Sequence, residues 1–140
     1  MGKISFFYEE TNFTLPQANK LKAWLKSIIQ REEFELELIN YIFCSDEYLL
    51  SLNVEYLNHD TYTDIITFDY TEGVQLEGDV YISVDRVNEN AAQLNVSFNQ
   101  EINRVMVHGL LHMMGYKDKS PSQKNQMRSK EDSCLSLLTI

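Results

Sequence analysis

Hydrophobic and polar positions recur with two periods along this chain, and each change of period marks the boundary of an element. Lys3 to Tyr8 (KISFFY) reads as a short strand. Pro16, two residues after Thr14, then opens an amphipathic helix to about Arg31 that buries Leu21, Trp24, Leu25, Ile28 and Ile29. Glu35 to Cys44 alternates imperfectly through Leu36, Leu38, Tyr41 and Phe43 and predicts a second strand. Ser45-Asp46 caps a helix through about Asn58, with Leu49, Leu50, Leu52 and Leu57 facing inward. Asp64 to Tyr70 and Asp79 to Ser83 are rich in β-branched and aromatic residues and predict two more strands, followed by a helix from about Asp85 to Leu94. Ser97 and Gln100 form a capping box for the next helix, which Gly115 ends. Ser120-Pro121-Ser122-Gln123 opens the last helix with a second capping box. Four strands interspersed with helices imply an α/β fold of the α+β type, a mixed four-stranded sheet packed with helices around one buried helix.

The length of 140 residues suits a single domain over 1–140, with no repeat, linker or low-complexity tract to divide it. With 44% hydrophobic and 24% charged residues the composition is that of a globular protein. No apolar run approaches the 18 or so residues of a membrane span. The N-terminal MGKISFFYEE lacks the apolar core of a signal peptide, and Cys44 and Cys134 form no CxxC. Both features lead to the expectation of a cytoplasmic protein with reduced thiols.

A net charge of −9 argues against the whole surface facing nucleic acid. The charge is uneven, however. Between Lys117 and Lys130 five basic residues (Lys117, Lys119, Lys124, Arg128, Lys130) stand against the single acid Asp118. This cationic segment is either a solvated helix face or the rim of a site for an anionic substrate.

The stretch VMVHGLLHMMG (Val105 to Gly115) is apolar nearly all round, as in a helix buried mid-domain. Its only polar side chains are His108 and His112, four apart and therefore on one face. Two buried imidazoles need partners, and a shared metal ion supplies both. Gly115 lies three residues after His112 and Asp118 six, which gives HxxxHxxGxxH with Asp in the last place. In metzincin proteases the glycine of this pattern reverses the chain and returns a third ligand to the metal. His108, His112 and Asp118 are therefore the expected ligands, leaving a position open for water or substrate. The peptidase pattern also needs a Glu after the first His, where this chain has Gly109. A glycine inside a helix suggests that something passes close to the backbone beside His108. His59, the remaining candidate for a third ligand, lies in a polar turn and reads rather as a surface residue.

HGLLHMMGYKD resembles the HGxLHLxGYDH motif of the YbeY family, bacterial metal-dependent endoribonucleases of ribosomal RNA maturation. Leu52-Asn53, Tyr56, Asp60, Thr63-Asp64 and Phe68 follow the family's LNxxYRxxDxPTDVLSF segment, and Gly78-Asp79 and Ile82-Ser83 follow its GDIxIS strand. The resemblance runs from about Phe43 to Asp118. It implies a zinc-type ion (Zn2+), single-strand-specific cleavage of RNA in rRNA maturation and ribosome quality control, and ribosomal RNA or ribosomal particles as partners. A ribosomal protein or an assembly GTPase is a further partner it suggests. Three positions depart from the family pattern: Asp118 stands where His is usual, Leu57 where Arg is usual, and Tyr62 where Pro is usual. A harder oxygen ligand at Asp118 leaves room for another divalent metal.

Arg104, four residues before His108, is the candidate cation for a phosphate at the metal, the alternative being an ordinary exposed arginine. Lys117 and Lys119 flank Asp118 and, with Arg128 of the last helix, form a candidate substrate-binding rim. Thr63 and Asp64 are expected to satisfy turn amides. Asp79 is a candidate acceptor for the far nitrogen of a ligand histidine, and Tyr116 a candidate platform for a base. No general base is legible. Two other functions fit the same residues, a non-catalytic assembly factor whose metal holds the chain reversal and a small zinc metallopeptidase, which Gly109 disfavours.

Overall fold

In the computed structural model, which describes residues 2–138, the chain runs β1 (Lys3–Glu9), α1 (Ala18–Arg31), β2 (Glu35–Cys44), α2 (Asp46–Leu57), β3 (Ile65–Asp69), β4 (Gln75–Ser83), α3 (Val84–Leu94), α4 (Phe98–Met113) and α5 (Pro121–Leu135). The four strands make one mixed sheet in the order β1-β2-β4-β3. β1, β2 and β4 are mutually parallel and β3 runs antiparallel on the edge beside β4. α1 is the crossover that parallel pairing of β1 and β2 requires.

Alternation along the strands sorts side chains between two faces. Ile39, Tyr41 and Phe43 of β2 and Leu76, Val80 and Ile82 of β4 are fully buried in the main core, with α1 and α4. The opposite face carries a smaller cluster of Cys44, Leu49 and Ile66, flanked by Tyr48, Phe68 and Tyr81. α4 lies almost wholly inside, with Ile102, Val105, Met106, Val107, Leu110 and Leu111 at most 3% exposed. Each such side chain contributes about 1.5–3 kcal/mol through burial. Two polar bonds orient the layers: the Tyr41 hydroxyl donates to the Met106 carbonyl at 3.0 Å, and Trp24 Nε1 donates to the Cys134 carbonyl at 2.9 Å.

Both predicted capping boxes form, at Ser97/Gln100 and Ser120/Gln123. α1 starts later than expected because Gln17 adopts a left-handed conformation (φ 56°), which leaves Pro16 in the preceding turn. β4 begins at Gln75, ahead of its apolar run, because parallel pairing with β2 extends to Glu35. Leu57 is 44% exposed and does not face inward. Asn53 takes the buried position on α2 and donates to the Thr61 carbonyl at 2.7 Å, which fixes the loop leading to β3. No helix among the described residues is long and apolar enough to cross a membrane.

Candidate metal centre

The side chains of His108 and His112 leave α4 one turn apart, their rings 4.6 Å apart at 80°. The chain then reverses. Gly115 sits at φ +100°, which a side chain would strain, while its N–H donates to the His112 carbonyl and that of Tyr116 to the Leu111 carbonyl. Asp118 is thereby returned to the helix, its Oδ2 3.2 Å from His108 Nε2 and 3.3 Å from His112 Nε2. One ligand atom from each of the three residues falls within 4.8 Å of the others. Two imidazole nitrogens and a carboxylate oxygen, half-exposed on one side, are a donor set that fits Zn2+ or a similar divalent ion with a position left open.

The connection that carries Asp118 is held from both ends. Gln123 Oε1 accepts from the Lys119 and Ser120 amides. On the other side the Tyr116 hydroxyl donates to Glu32 Oε1 at 2.7 Å, Lys130 Nζ lies 2.7 Å from Glu32 Oε2, and the same ammonium stands over the Tyr116 ring. Tyr116 is therefore a strut between α1 and α5, and its ring is already covered, contrary to the expected base platform.

The far nitrogen of His108 is held by a residue the sequence reading missed. Nδ1 lies 2.6 Å from Glu131 Oε2, and Arg104 donates to Glu131 Oε1 at 2.9 Å and to Asp132 at 2.7 Å. Burial acts against charge on both members of this pair, yet their mutual hydrogen bond and ion pairing hold the Glu131 carboxyl below the usual carboxylate range and push the His108 imidazole up. The signal for Glu131 lay in α5, where Met127, Glu131 and Cys134 share the buried stripe. A carboxylate in such a stripe needs a cationic or N–H partner. Asp79 does not fill this role. It alternates with the inward Val80, so it points to the sheet face away from α4, where it accepts from Asn40 at 3.0 Å.

A cavity of about 280 Å³ opens beside His108 and Asp118, walled by Asp64, Glu101, Arg104, Lys124 and Arg128. Arg104 lines the same cavity, with its guanidinium engaged by two carboxylates, Glu131 and Asp132. Arg128 is exposed on the cavity wall, and Lys124 of the same cationic segment joins it. Lys117 and Lys119 are exposed on either side of Asp118, Lys117 facing a separate concavity with Glu32 and Tyr116. Asp64 also lines a second cavity beyond His112, and burial pushes its carboxyl up. Its carbonyl accepts from the Ser83 amide, continuing the antiparallel pairing of β3 with β4, and its side chain accepts from Asn90 at 3.5 Å. His59 is exposed and outside the ligand group. Cys44 and Cys134 are buried free thiols, that of Cys44 pushed up to about 12 by burial and nearby acids.

Gly109 explains itself through the sheet. A Cβ there would stand 3.0 Å from Ile65 Cδ1 and 3.1 Å from Val80 Cγ1. The close neighbours are strand side chains, and the position faces away from the ligand nitrogens. A peptidase-type glutamate after His108 would be driven into the core.

A helix-borne pair of histidines, a glycine reversal and a carboxylate over the edge of a mixed sheet define the class, a compact α/β domain with one candidate metal-binding group. The sequence profile of the family described as Endoribonuclease YbeY matches residues 5–139. A protein of Flavobacterium johnsoniae named Endoribonuclease YbeY is 52% identical over 137 residues, covering 98% of both chains. Its namesake from Cytophaga hutchinsonii is 50% identical over 135 residues, 96% of this chain and 94% of its own. The solution structure of TM1509 from Thermotoga maritima shares the fold, with a TM-score of 0.66 at 24% identity over 96% of this chain and 90% of that one. The chain belongs to the YbeY endoribonuclease family.

Proposed function

We propose that this protein is a metal-dependent endoribonuclease that cuts single-stranded RNA, with ribosomal RNA as its substrate and the cytoplasm as its place of action. The observation that carries the reading is the convergence of His108, His112 and Asp118, two of which, His108 and Asp118, line a cavity whose wall presents Lys124 and Arg128. A polyanion entering there meets cations at the rim and the ligand group at the base.

His108, His112 and Asp118 would hold a zinc-type ion. Such an ion supplies a Lewis acid for a phosphoryl oxygen and lowers the pKa of water. Glu131 keeps the His108 proton on Nδ1 and so presents Nε2 as a lone pair. Arg104 holds Glu131 in that pose. Lys124 and Arg128 bind and orient the phosphate backbone, with Lys117 and Lys119 extending the cationic rim past Asp118.

The test is cleavage of a single-stranded RNA by the wild type and by Asp118→Ala, with metal content measured in both. Metal-dependent cleavage that disappears with Asp118 is expected. A protein that holds stoichiometric metal through Asp118 and never cuts RNA would instead be a metal-stabilised assembly factor. That second reading draws on Arg104 being tied to carboxylates and on the apolar, exposed Leu57.

A further inference from the structure

Beside the metal cavity lies a larger one of about 610 Å³, running between the start of α4 and the end of α5. Its walls are apolar at Leu15, Leu94, Val96 and Leu135. Three residues, Glu101, Arg104 and Arg128, line both cavities, so the two spaces share a wall and adjoin along α4. Glu101 is the unusual one. It stands seven residues before His108, two turns back on the same helix face and about 10 Å along the axis. It is 6% exposed, and burial pushes its carboxyl up.

A buried carboxyl of this kind ordinarily has a partner. Glu101 makes no side-chain hydrogen bond among the described residues, and Arg86 Nε is the one sealed side-chain polar atom without a partner there. The Glu101 oxygens are therefore not sealed in protein. They retain access through the cavities they line. A carboxyl with no side-chain partner, on the wall the two cavities share and beside the apolar Leu15, Leu94, Val96 and Leu135, matches a flat ring that presents two adjacent N–H donors on its edge. Among the RNA bases guanine does so, through N1–H and its 2-amino group, while adenine and cytosine offer one amino group and uracil one imino N–H. Unstacked bases of single strands are read in this way on their Watson–Crick edges.

Building on the nuclease reading above, we infer that the cavity at the start of α4 is a base-binding subsite in which Glu101 accepts both edge donors of a guanine flanking the RNA phosphate held at the metal. The apolar walls take the faces of the ring, and Arg104 and Arg128 lie between base and metal where the connecting phosphate runs. Guanosine without a phosphate is the proper probe, because it cannot bind through the metal or the cationic rim.

Guanosine titrated into the intact protein is expected to shift the amide resonances of α4, with adenosine, cytidine and uridine weaker by about tenfold or more, the size of discrimination one bidentate pair gives. Glu101→Gln should collapse that preference. Val96→Trp, at a 40% exposed wall position where folding is not at stake, should weaken guanosine binding by filling the slot. In parallel, a uridine-rich single strand carrying one guanine should be cut at a fixed offset from it, and the offset should vanish in Glu101→Gln. Cleavage without base preference, together with equal or absent binding of the four nucleosides, overturns the subsite and leaves the nuclease standing. Guanosine binding that depends on Glu101 in a protein that cuts no RNA supports the subsite and removes the nuclease.

Discussion

Glu131 Oε2 lies 2.6 Å from His108 Nδ1, so a carboxylate from the last helix fixes the imidazole of the central one. This pair decides which histidine nitrogen faces the ligand group, and Arg104 completes it by bonding the second oxygen of Glu131 at 2.9 Å. Removing the charge while keeping the shape, as in Glu131→Gln, is expected to weaken metal binding by about 10–100-fold with the fold retained. Glu131→Ala should in addition destabilise the protein by about 1–2 kcal/mol, because a partly buried Arg104 keeps Asp132 but loses one of its two carboxylates. Competition against a chelating dye reads the first effect and urea unfolding the second; metal affinity unchanged in Glu131→Gln would refute the role.

Metal removal is expected to loosen the α4–α5 connection. Asp118 is drawn back to His108 and His112 with its Oδ2 3.2 and 3.3 Å from their Nε2 nitrogens, and an ion bound only in the folded state adds its binding free energy to stability. At a free metal concentration a hundredfold above the dissociation constant this is about 2.7 kcal/mol. For a chain of this size that corresponds to roughly 5–10 °C in Tm. Calorimetry with and without a chelator checks it, and the difference should be absent in His112→Ala.

The ligand set was readable because it is local: two histidines one turn apart, a glycine and a carboxylate lie within eleven residues, and helix and turn geometry alone bring them together. Both capping boxes were legible for the same reason. Glu131, Lys124 and the Tyr116–Glu32–Lys130 strut depend on how α5 docks on α4 and α1, which no short-range spacing encodes. Asp79 shows the opposite failure. Its place at the start of the expected strand Asp79 to Ser83 suggested a role at the metal, while the pleat of β4 sends it to the other face of the sheet. Leu57 looked inward by helical period, yet Asn53 took the interior because the Thr61 carbonyl needed a donor.

Gly109 is predicted to resist substitution for reasons of packing. A methyl group there meets Ile65 Cδ1 at 3.0 Å, Val80 Cγ1 at 3.1 Å and Thr67 Oγ1 at 3.4 Å. Crowding of this kind costs about 1–3 kcal/mol, and alanine's better helix propensity returns about 1 kcal/mol. Gly109→Ala should therefore be destabilised by up to about 2 kcal/mol in urea melts. Gly109→Glu, the change that would restore a peptidase-type motif, should prevent folding and yield no peptide cleavage with added zinc; a folded, peptide-cleaving variant would contradict the geometry.

The strut behind Asp118 adds a small acid-sensitive contribution to the stability of the fold. Burial disfavours the Glu32 carboxylate, but the hydrogen bonds from Lys130 and Tyr116 outweigh it and hold its pKa below the usual value. A carboxylate lowered in the folded state contributes stability that is present above its unfolded pKa of about 4.3 and is lost as pH falls through the folded value. The loss is therefore expected from about pH 5 downward. The pair is partly exposed, so its contribution at neutral pH is about 1 kcal/mol at most. Glu32→Gln should lower stability slightly at pH 7 and flatten the decline between about pH 5 and pH 3, since glutamine does not titrate. Because Tyr116 then loses an ionic acceptor, the Asp118 connection should also protect its amides less well against hydrogen exchange. Urea midpoints measured at several pH values, with exchange rates at Lys117 to Lys119, decide the matter: identical acid slopes in wild type and variant would show that Glu32 does not carry the titration.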